Sequence, residues 1–167
     1  MAGSGAPEPV TVEGSGLRVA VVATRWHAEV TDALLAGALR ALAAAHVREP
    51  SVVRVPGAFE LPVVVAQMAV SHDAVVALGL VVRGGTPHFE FVCDAATAGL
   101  TRVAIDTGTP VGFGLLTCDT LAQAIDRSGL QGSREDKGAE AALAAVETAG
   151  VLRGLRAPRP SAGFTVR

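Results

Sequence analysis

Nine consecutive apolar residues, Ala74–Val82 (AVVALGLVV), restrict the architecture of this chain more than any other segment. The run is far short of the ~20 residues that a membrane-spanning helix needs. It also lacks the polar alternation of a strand with one wet face, so it reads as a strand buried on both sides. Such a strand belongs in a parallel sheet covered by helices, and the flanking sequence provides both partners. Leu17–Thr24 (LRVAVVAT), Val52–Val55 and Val111–Thr117 are further β-branched runs. Between them lie helical patterns. His27–His46 sets Val30, Leu34, Ala38, Ala41, Leu42 and Ala45 on one face. Phe59–Val70 carries Pro62 in its first turn, and Pro87–Ala104 has Thr86 as its cap candidate. Asp119–Arg127 is a short helix closed by Gly129. Arg134–Arg153 is a last helix, with Ser133 and Asp136 as its capping pair. Strand and helix alternate throughout, which predicts an α/β fold with a four-stranded parallel sheet and helices on both faces. Ligands of such sheets bind beyond the carboxyl ends of the strands.

The 167 residues predict one domain, running from 17 to 153. Residues 1–16 read as a flexible Gly/Pro/Ser tail, and 154–167 as a basic one carrying Arg156, Arg159 and Arg167. That basic tail suits contact with an anionic partner as well as plain solvation. A formal charge of −2 provides no field for nucleic acid or an acidic membrane. Charged residues are 18% of the chain, below the usual quarter, which suggests apolar surface covered by a partner. Cys93 and Cys118 form no CxxC pair, as expected of reduced thiols in a cytoplasmic protein. The opening residues MAGSGAPEPV lack the basic and apolar regions of a secretory signal.

Only 4% of residues are aromatic, so their positions are informative. Trp26, Phe59, Phe89, Phe91 and Phe113 are all expected at or just beyond strand ends, with Phe164 in the tail. Trp26 follows the first strand, either as cover for the sheet's rim or as a stacking platform for a flat ring. Val55–Glu60 (VPGAFE) opens a helix; capping chemistry explains Glu60, while Gly57 and Ala58 equally permit close approach of a ligand. Val82–His88 (VRGGTPH) is the strongest segment. Free N–H groups in a Gly84-Gly85-Thr86 turn, aimed from a helix start, form a ready anion cup. His88 stands beside it, and an imidazole both takes and gives protons near neutral pH. Gly112-Phe113-Gly114 resembles a dinucleotide fingerprint only in part, since Thr117 replaces the third glycine and the glycines do not follow the strand. Phe113 is instead expected to project over a ligand or against another subunit. Arg127 suits a helix end, whereas Lys137 at a helix start is unfavourable unless an anion lies near. No Walker lysine, serine elbow, HExxH or metal-ligand cluster appears. A flavodoxin-type FMN carrier would need a small, hydroxyl-rich loop after the first strand, where this chain has Thr24-Arg25-Trp26-His27.

The runs RVPGAFELPVVV, GLVVRGGTPHFEFVCDAATAGL, TPVGFGLLTCDTLAQAIDRSG and DKGAEAALAA closely resemble the lumazine synthase family, in order and across about Leu17 to Leu152. The resemblance implies a three-layer, flavodoxin-like fold and homopentamers with active sites between subunits. It implies a transferase of riboflavin biosynthesis. The enzyme condenses 5-amino-6-ribitylaminouracil with 3,4-dihydroxy-2-butanone 4-phosphate, through an imine, phosphate elimination and dehydrating ring closure. The product, 6,7-dimethyl-8-ribityllumazine, passes to riboflavin synthase; no metal or redox cofactor is implied. By the same resemblance Trp26 stacks on the pyrimidine, and Ala58, Phe59 and Glu60 hold the ribityl chain. Backbone groups of Val81 and Val82 read the uracil edge. Gly84, Gly85, Thr86 and Arg127 bind phosphate, and His88 shuttles protons. Phe113 and Lys137 reach the pocket, with Phe113 and Arg127 supplied by the adjacent subunit. Gly85 stands where many relatives carry a larger polar residue. The stretch from Gly129 to Lys137 is longer than in shell-forming relatives, which favours pentamers over a sixty-subunit capsid.

Overall fold

The computed structural model describes residues 11–157. Nine elements follow in chain order: β1 (Val19–Thr24), α1 (Ala28–Ala44), β2 (Ser51–Val55), α2 (Leu61–Ala69), β3 (Ala74–Val82), α3 (His88–Thr107), β4 (Val111–Cys118), α4 (Leu121–Ile125) and α5 (Lys137–Arg156). A single 3₁₀ turn, Ala58–Glu60, leads into α2. The sheet has the order β2-β1-β3-β4 and every pairing is parallel. The expected α/β architecture is therefore present, with β3 in the interior as its unbroken apolar run required.

The period-2 geometry of the two central strands divides the core. Val19, Val21, Ala23, Val76 and Leu78 face α1 and α5, while Ala20, Val22, Val75 and Ala77 face α2 and α3. The result is three layers, with an Ala-rich seam between α1 and α5. That seam is very tight. A Cβ placed on Gly138 would lie 2.0 Å from the Leu34 carbonyl oxygen, so the two helices meet where only hydrogen fits.

Several boundaries differ from the sequence expectation, each for a local reason. α3 starts at His88 without a side-chain cap, so Thr86 does not perform that role, and the helix runs on to Gly108, which ends it in the left-handed region (φ 65°). The segment expected as one helix from Asp119 to Arg127 is only Leu121–Ile125, capped by Thr120 accepting from the Gln123 N–H. Gly129 does adopt positive φ (78°), yet its N–H donates to the Glu135 carbonyl and not back to α4. It shapes the connection that brings Ser128 alongside Asp136. Asp136 alone caps α5, accepting from the Ala139 N–H at 2.9 Å, which delays the helix start from 134 to Lys137. The Ser133 hydroxyl instead donates to the Ile125 carbonyl.

Packing also extends past the expected domain limits. Val12 lies against the α1–α5 core, the Gly14 N–H donates to the Ala45 carbonyl at 2.7 Å, and α5 continues to Arg156. Residues 1–10 and 158–167, including Arg159, Phe164 and Arg167, lie outside the described residues. Glu13 fastens this segment, accepting from the Ser15 N–H and pairing with His46 at 3.0 Å. Hydrogen bonding from Ser15 first, then from His46, pulls its carboxyl from an ordinary 4.5 down to about 2. A depressed carboxyl pKa stabilises the folded form above the unfolded value and stops doing so as pH falls through the folded one. Contacts of residues 12–16 with α1 are thus expected to loosen between pH 4.5 and about 2. A Glu13→Gln variant should lack that step in an NMR pH titration. Because the pair is exposed, salt should shrink it.

Candidate active site

β3 outruns β1. The β1–β3 ladder ends at Ala23–Leu78, whereas β3 continues to Val82 and keeps pairing with β4 as far as Val82–Cys118. N–H groups of the odd-numbered residues Val75 and Arg83 point to the β4 side, donating to Pro110 and Cys118. By strand alternation, Leu80 and Val82 direct their N–H and C=O groups to the side that β1 no longer covers. The main chain of Val81 belongs to the β4 ladder, and this residue contributes its side chain to the site. Peptide groups of Leu80 and Val82 thus lie beyond the reach of β1, whereas the expected pair is Val81 and Val82.

A cavity of about 340 Å³ opens beside that edge. Trp26 and His27 form one wall, Gly57, Ala58, Phe59 and Glu60 another, and Leu80, Val81, Val82, His88 and Val92 the base and far side. Each segment arrives there from the carboxyl end of a strand. Trp26 and Phe59 are 66% and 65% exposed, so two large rings stand open to a ligand in a chain that has few. His27 caps α1 in the left-handed conformation (φ 55°, ψ 57°), which turns the chain sharply after β1 and lifts Trp26 over the cavity. Glu60 accepts from the Gly57 N–H at 2.8 Å, so one carboxylate oxygen fixes the turn while the group stays at the wall.

His88 is the first residue of α3, and Val92, one turn on, shares its face. The Gly84-Gly85-Thr86 turn lies just before it, and a Cβ on either glycine would touch nothing within 4 Å. Among the described residues, no backbone N–H of 84, 85 or 86 donates to another main-chain group. Main-chain donors of 84–86 thus stand without a main-chain partner just before a helix start, where an anion would be favoured.

Phe113, Arg127 and Lys137 do not line this cavity. Phe113 sits within the edge strand β4, not at its end, and is 46% exposed. Arg127 follows α4, donates to the Gln123 carbonyl at 2.8 Å and lies 3.9 Å from Glu135. Lys137 is joined to it, since its N–H donates to the Arg127 carbonyl at 3.0 Å. The Lys137 ammonium, placed at a helix start, meets Glu140 at 2.6 Å and Glu135 at 3.2 Å. Burial is the largest single influence on it and opposes the charge. The two carboxylates together outweigh that and hold its pKa above the ordinary lysine value. Chain carboxylates, not a missing anion, thus account for a cation at that position. Phe89 is turned away under the Arg83 guanidinium, and Phe91 is 72% exposed outside the cavity.

Burial pushes the Cys93 and Cys118 thiols above their ordinary range, which suits packing and not nucleophilic attack. Among the described residues no group of three or more His, Cys, Asp or Glu is placed to hold a metal ion. No helix among them is long and apolar enough to cross a membrane. Sequence reasoning passed over His27, Leu80 and Val92 as lining residues. The helical spacing from His88 to Val92, and the alternation from Leu80 to Val82, were the available signals.

The family model described as 6,7-dimethyl-8-ribityllumazine synthase matches residues 16–153. The chain is 68% identical over 161 residues to the 6,7-dimethyl-8-ribityllumazine synthase of Kineococcus radiotolerans, covering 96% of this chain and 99% of that protein. It is 65% identical over 160 residues to the protein of the same name from Frankia casuarinae, covering 93% and 98%. Against that from Saccharopolyspora erythraea the identity is 58% over 164 residues, covering 98% and 99%.

Proposed function

The chain belongs to the 6,7-dimethyl-8-ribityllumazine synthase family, and from that premise we propose how its own residues carry out the reaction. The enzyme, a transferase of riboflavin biosynthesis, condenses 5-amino-6-ribitylaminouracil with 3,4-dihydroxy-2-butanone 4-phosphate and releases phosphate and water. The observation that carries the assignment of roles is the cavity at the overhang of β3. There two exposed rings, a carboxylate, a bare peptide edge and an imidazole converge.

In this reading Trp26 stacks on the pyrimidine, while peptide groups of Leu80 and Val82 pair with its polar edge. The Ala58–Glu60 turn receives the ribityl chain, with Glu60 accepting from hydroxyls. Gly84, Gly85 and Thr86 cradle the phosphate of the second substrate. His88, between cup and ring, passes protons as the imine forms and the phosphate leaves. Most of the acceleration comes from holding two substrates in register.

The cavity of a single chain has no Lys or Arg in its lining. Arg127 and Lys137 adjoin each other after α4, and Phe113 lies on the edge strand β4. Exposed apolar side chains occur both there and on the α2–α3 side. They are Val63 (69%) and Phe91 (72%) on the α2–α3 side, and Phe113 and Leu121 on the β4 side. A contact between two different faces closes into a ring when the rotation permits. This supports a homopentamer in which Arg127 and Phe113 of one subunit complete the next subunit's cavity. The enzyme is further read as cytoplasmic, with its product passing to riboflavin synthase.

Mixing the purified protein with both substrates tests the reading, with lumazine fluorescence, phosphate release and light scattering followed together. No product from a folded oligomer would sink it. An Arg127→Ala protein should keep its oligomeric mass but show a KM for the phosphate-bearing substrate raised by about tenfold or more, the scale of one charge-assisted contact. An unchanged KM in an intact oligomer would remove Arg127 from the site.

A further inference from the structure

Arg83 lies outside the cavity, yet it is the best-connected side chain near the anion cup. Its Nε donates to Asp119 at 2.7 Å, and its Nη1 to Glu90. The guanidinium carbon stands 4.2 Å from the centre of the Phe89 ring, and the Arg83 N–H donates to the Cys118 carbonyl. One side chain thereby ties the start of the 83–87 loop to the first turn of α3 and to the residue following β4. The remainder of the loop has little else to hold it. Gly84 and Gly85 have open space where a Cβ would stand, and no side-chain hydrogen bond of Thr86 joins it to the described residues.

Arg83 is poorly placed as a phosphate ligand, since two carboxylates already hold it through Nε and Nη1. Hydrogen bonding to Asp119 first, and then to Glu90, raises its already high pKa. The three groups together carry a net charge of −1, so their field opposes an anion in the neighbouring cup. We infer that Arg83 is a positioning residue for the known reaction. It clamps the Gly84-Gly85-Thr86 donors and the His88 end of α3 in the geometry that receives phosphate. This rests on the reading of that turn as the phosphate cup. Exposed ion pairs add little to overall stability, so loss of the clamp disturbs the cup without unfolding the protein.

The test uses the intact oligomer, with kinetics for both substrates and inorganic phosphate as competing inhibitor. Arg83→Gln should raise the KM for the phosphate-bearing substrate and the phosphate inhibition constant together, by roughly tenfold. The KM for the pyrimidine and the melting temperature should stay near wild type. Arg83→Lys, which keeps the charge but not the two-pronged grip, should recover only part of the loss. The double variant Glu90→Gln, Asp119→Asn separates positioning from electrostatics. Removing two negative charges should tighten phosphate binding if only the field matters, whereas loss of the clamp weakens it. An unchanged or lower phosphate-substrate KM in the double variant overturns the inference. So does a parallel rise in both KM values with a fallen melting temperature in Arg83→Gln. If wild-type enzyme turns over but phosphate does not compete, the cup itself is misassigned, and that failure is visible without any Arg83 variant.

Discussion

Replacing His88 with alanine should slow turnover by about 100-fold, at the lower end of the 10²–10⁴ that a positioned acid–base group contributes. The imidazole lines the same cavity as Trp26, at the first residue of α3 and just after the Gly84-Gly85-Thr86 turn. On the proposed reading it moves protons between the substrates without carrying the burden of binding them. The KM for the pyrimidine should change little, because the ring platform and the peptide edge remain. Residual activity is expected, since holding the two reactants together survives the substitution. Steady-state kinetics with each substrate varied in turn should show the loss in kcat and little of it in KM. A variant with full kcat would reduce His88 to a helix-start residue.

Replacing Gly138 with alanine should damage the fold more than any loss at the site. The added methyl would stand 2.0 Å from the Leu34 carbonyl oxygen and 2.7–2.8 Å from its backbone carbons. Main chain on a helix cannot rotate aside as a side chain does, so α1 and α5 must separate along their whole contact. The neighbouring seam of Ala38, Ala41, Ala142 and Ala145 then loses its close packing. Overpacking of this kind costs about 3 kcal/mol or more, against the ~1 kcal/mol by which alanine is the better helix former. For a chain of this length the net of about 2 kcal/mol lowers the melting temperature by roughly 4–8 °C. Gly150 in the same helix is the control, since nothing lies within 4 Å of its added Cβ. Gly150→Ala should be neutral or stabilising. Calorimetry at equal protein concentration compares the two, and equal melting temperatures would refute the close-approach argument.

The interior strand was legible because Ala74–Val82 admits so few alternatives, and the four strand-to-helix junctions followed from it. Trp26, the Ala58–Glu60 turn and His88 were readable as members of one site because each follows a strand's carboxyl end. What the sequence concealed was geometry that depends on neighbours. Strand pairing, not residue type, decides that Leu80 and Val82 rather than Val81 present free peptide groups. Lys137 looked like a cation awaiting an anion because the partners of its ammonium, Glu135 and Glu140, are settled only when α5 begins at 137. Asp136 had the same appearance as Ser133 on paper, yet only one of them meets the open N–H groups of the helix. Arg83 carried no signal at all, since Glu90 and Asp119 meet it only once β3 and β4 lie side by side.

The overhang of β3 has one more consequence. Peptide N–H and C=O groups are the same whatever residue the gene specifies, proline aside. On the proposed reading, recognition by the main chain at 80 and 82 is therefore shielded from most point mutation. Substitutions among Val, Ile and Leu there alter the walls of the pocket while its hydrogen-bonding pattern persists. Heritable drift in this enzyme should accordingly concentrate on how tightly the ring is gripped and how fast protons move, leaving untouched which heterocycle is admitted.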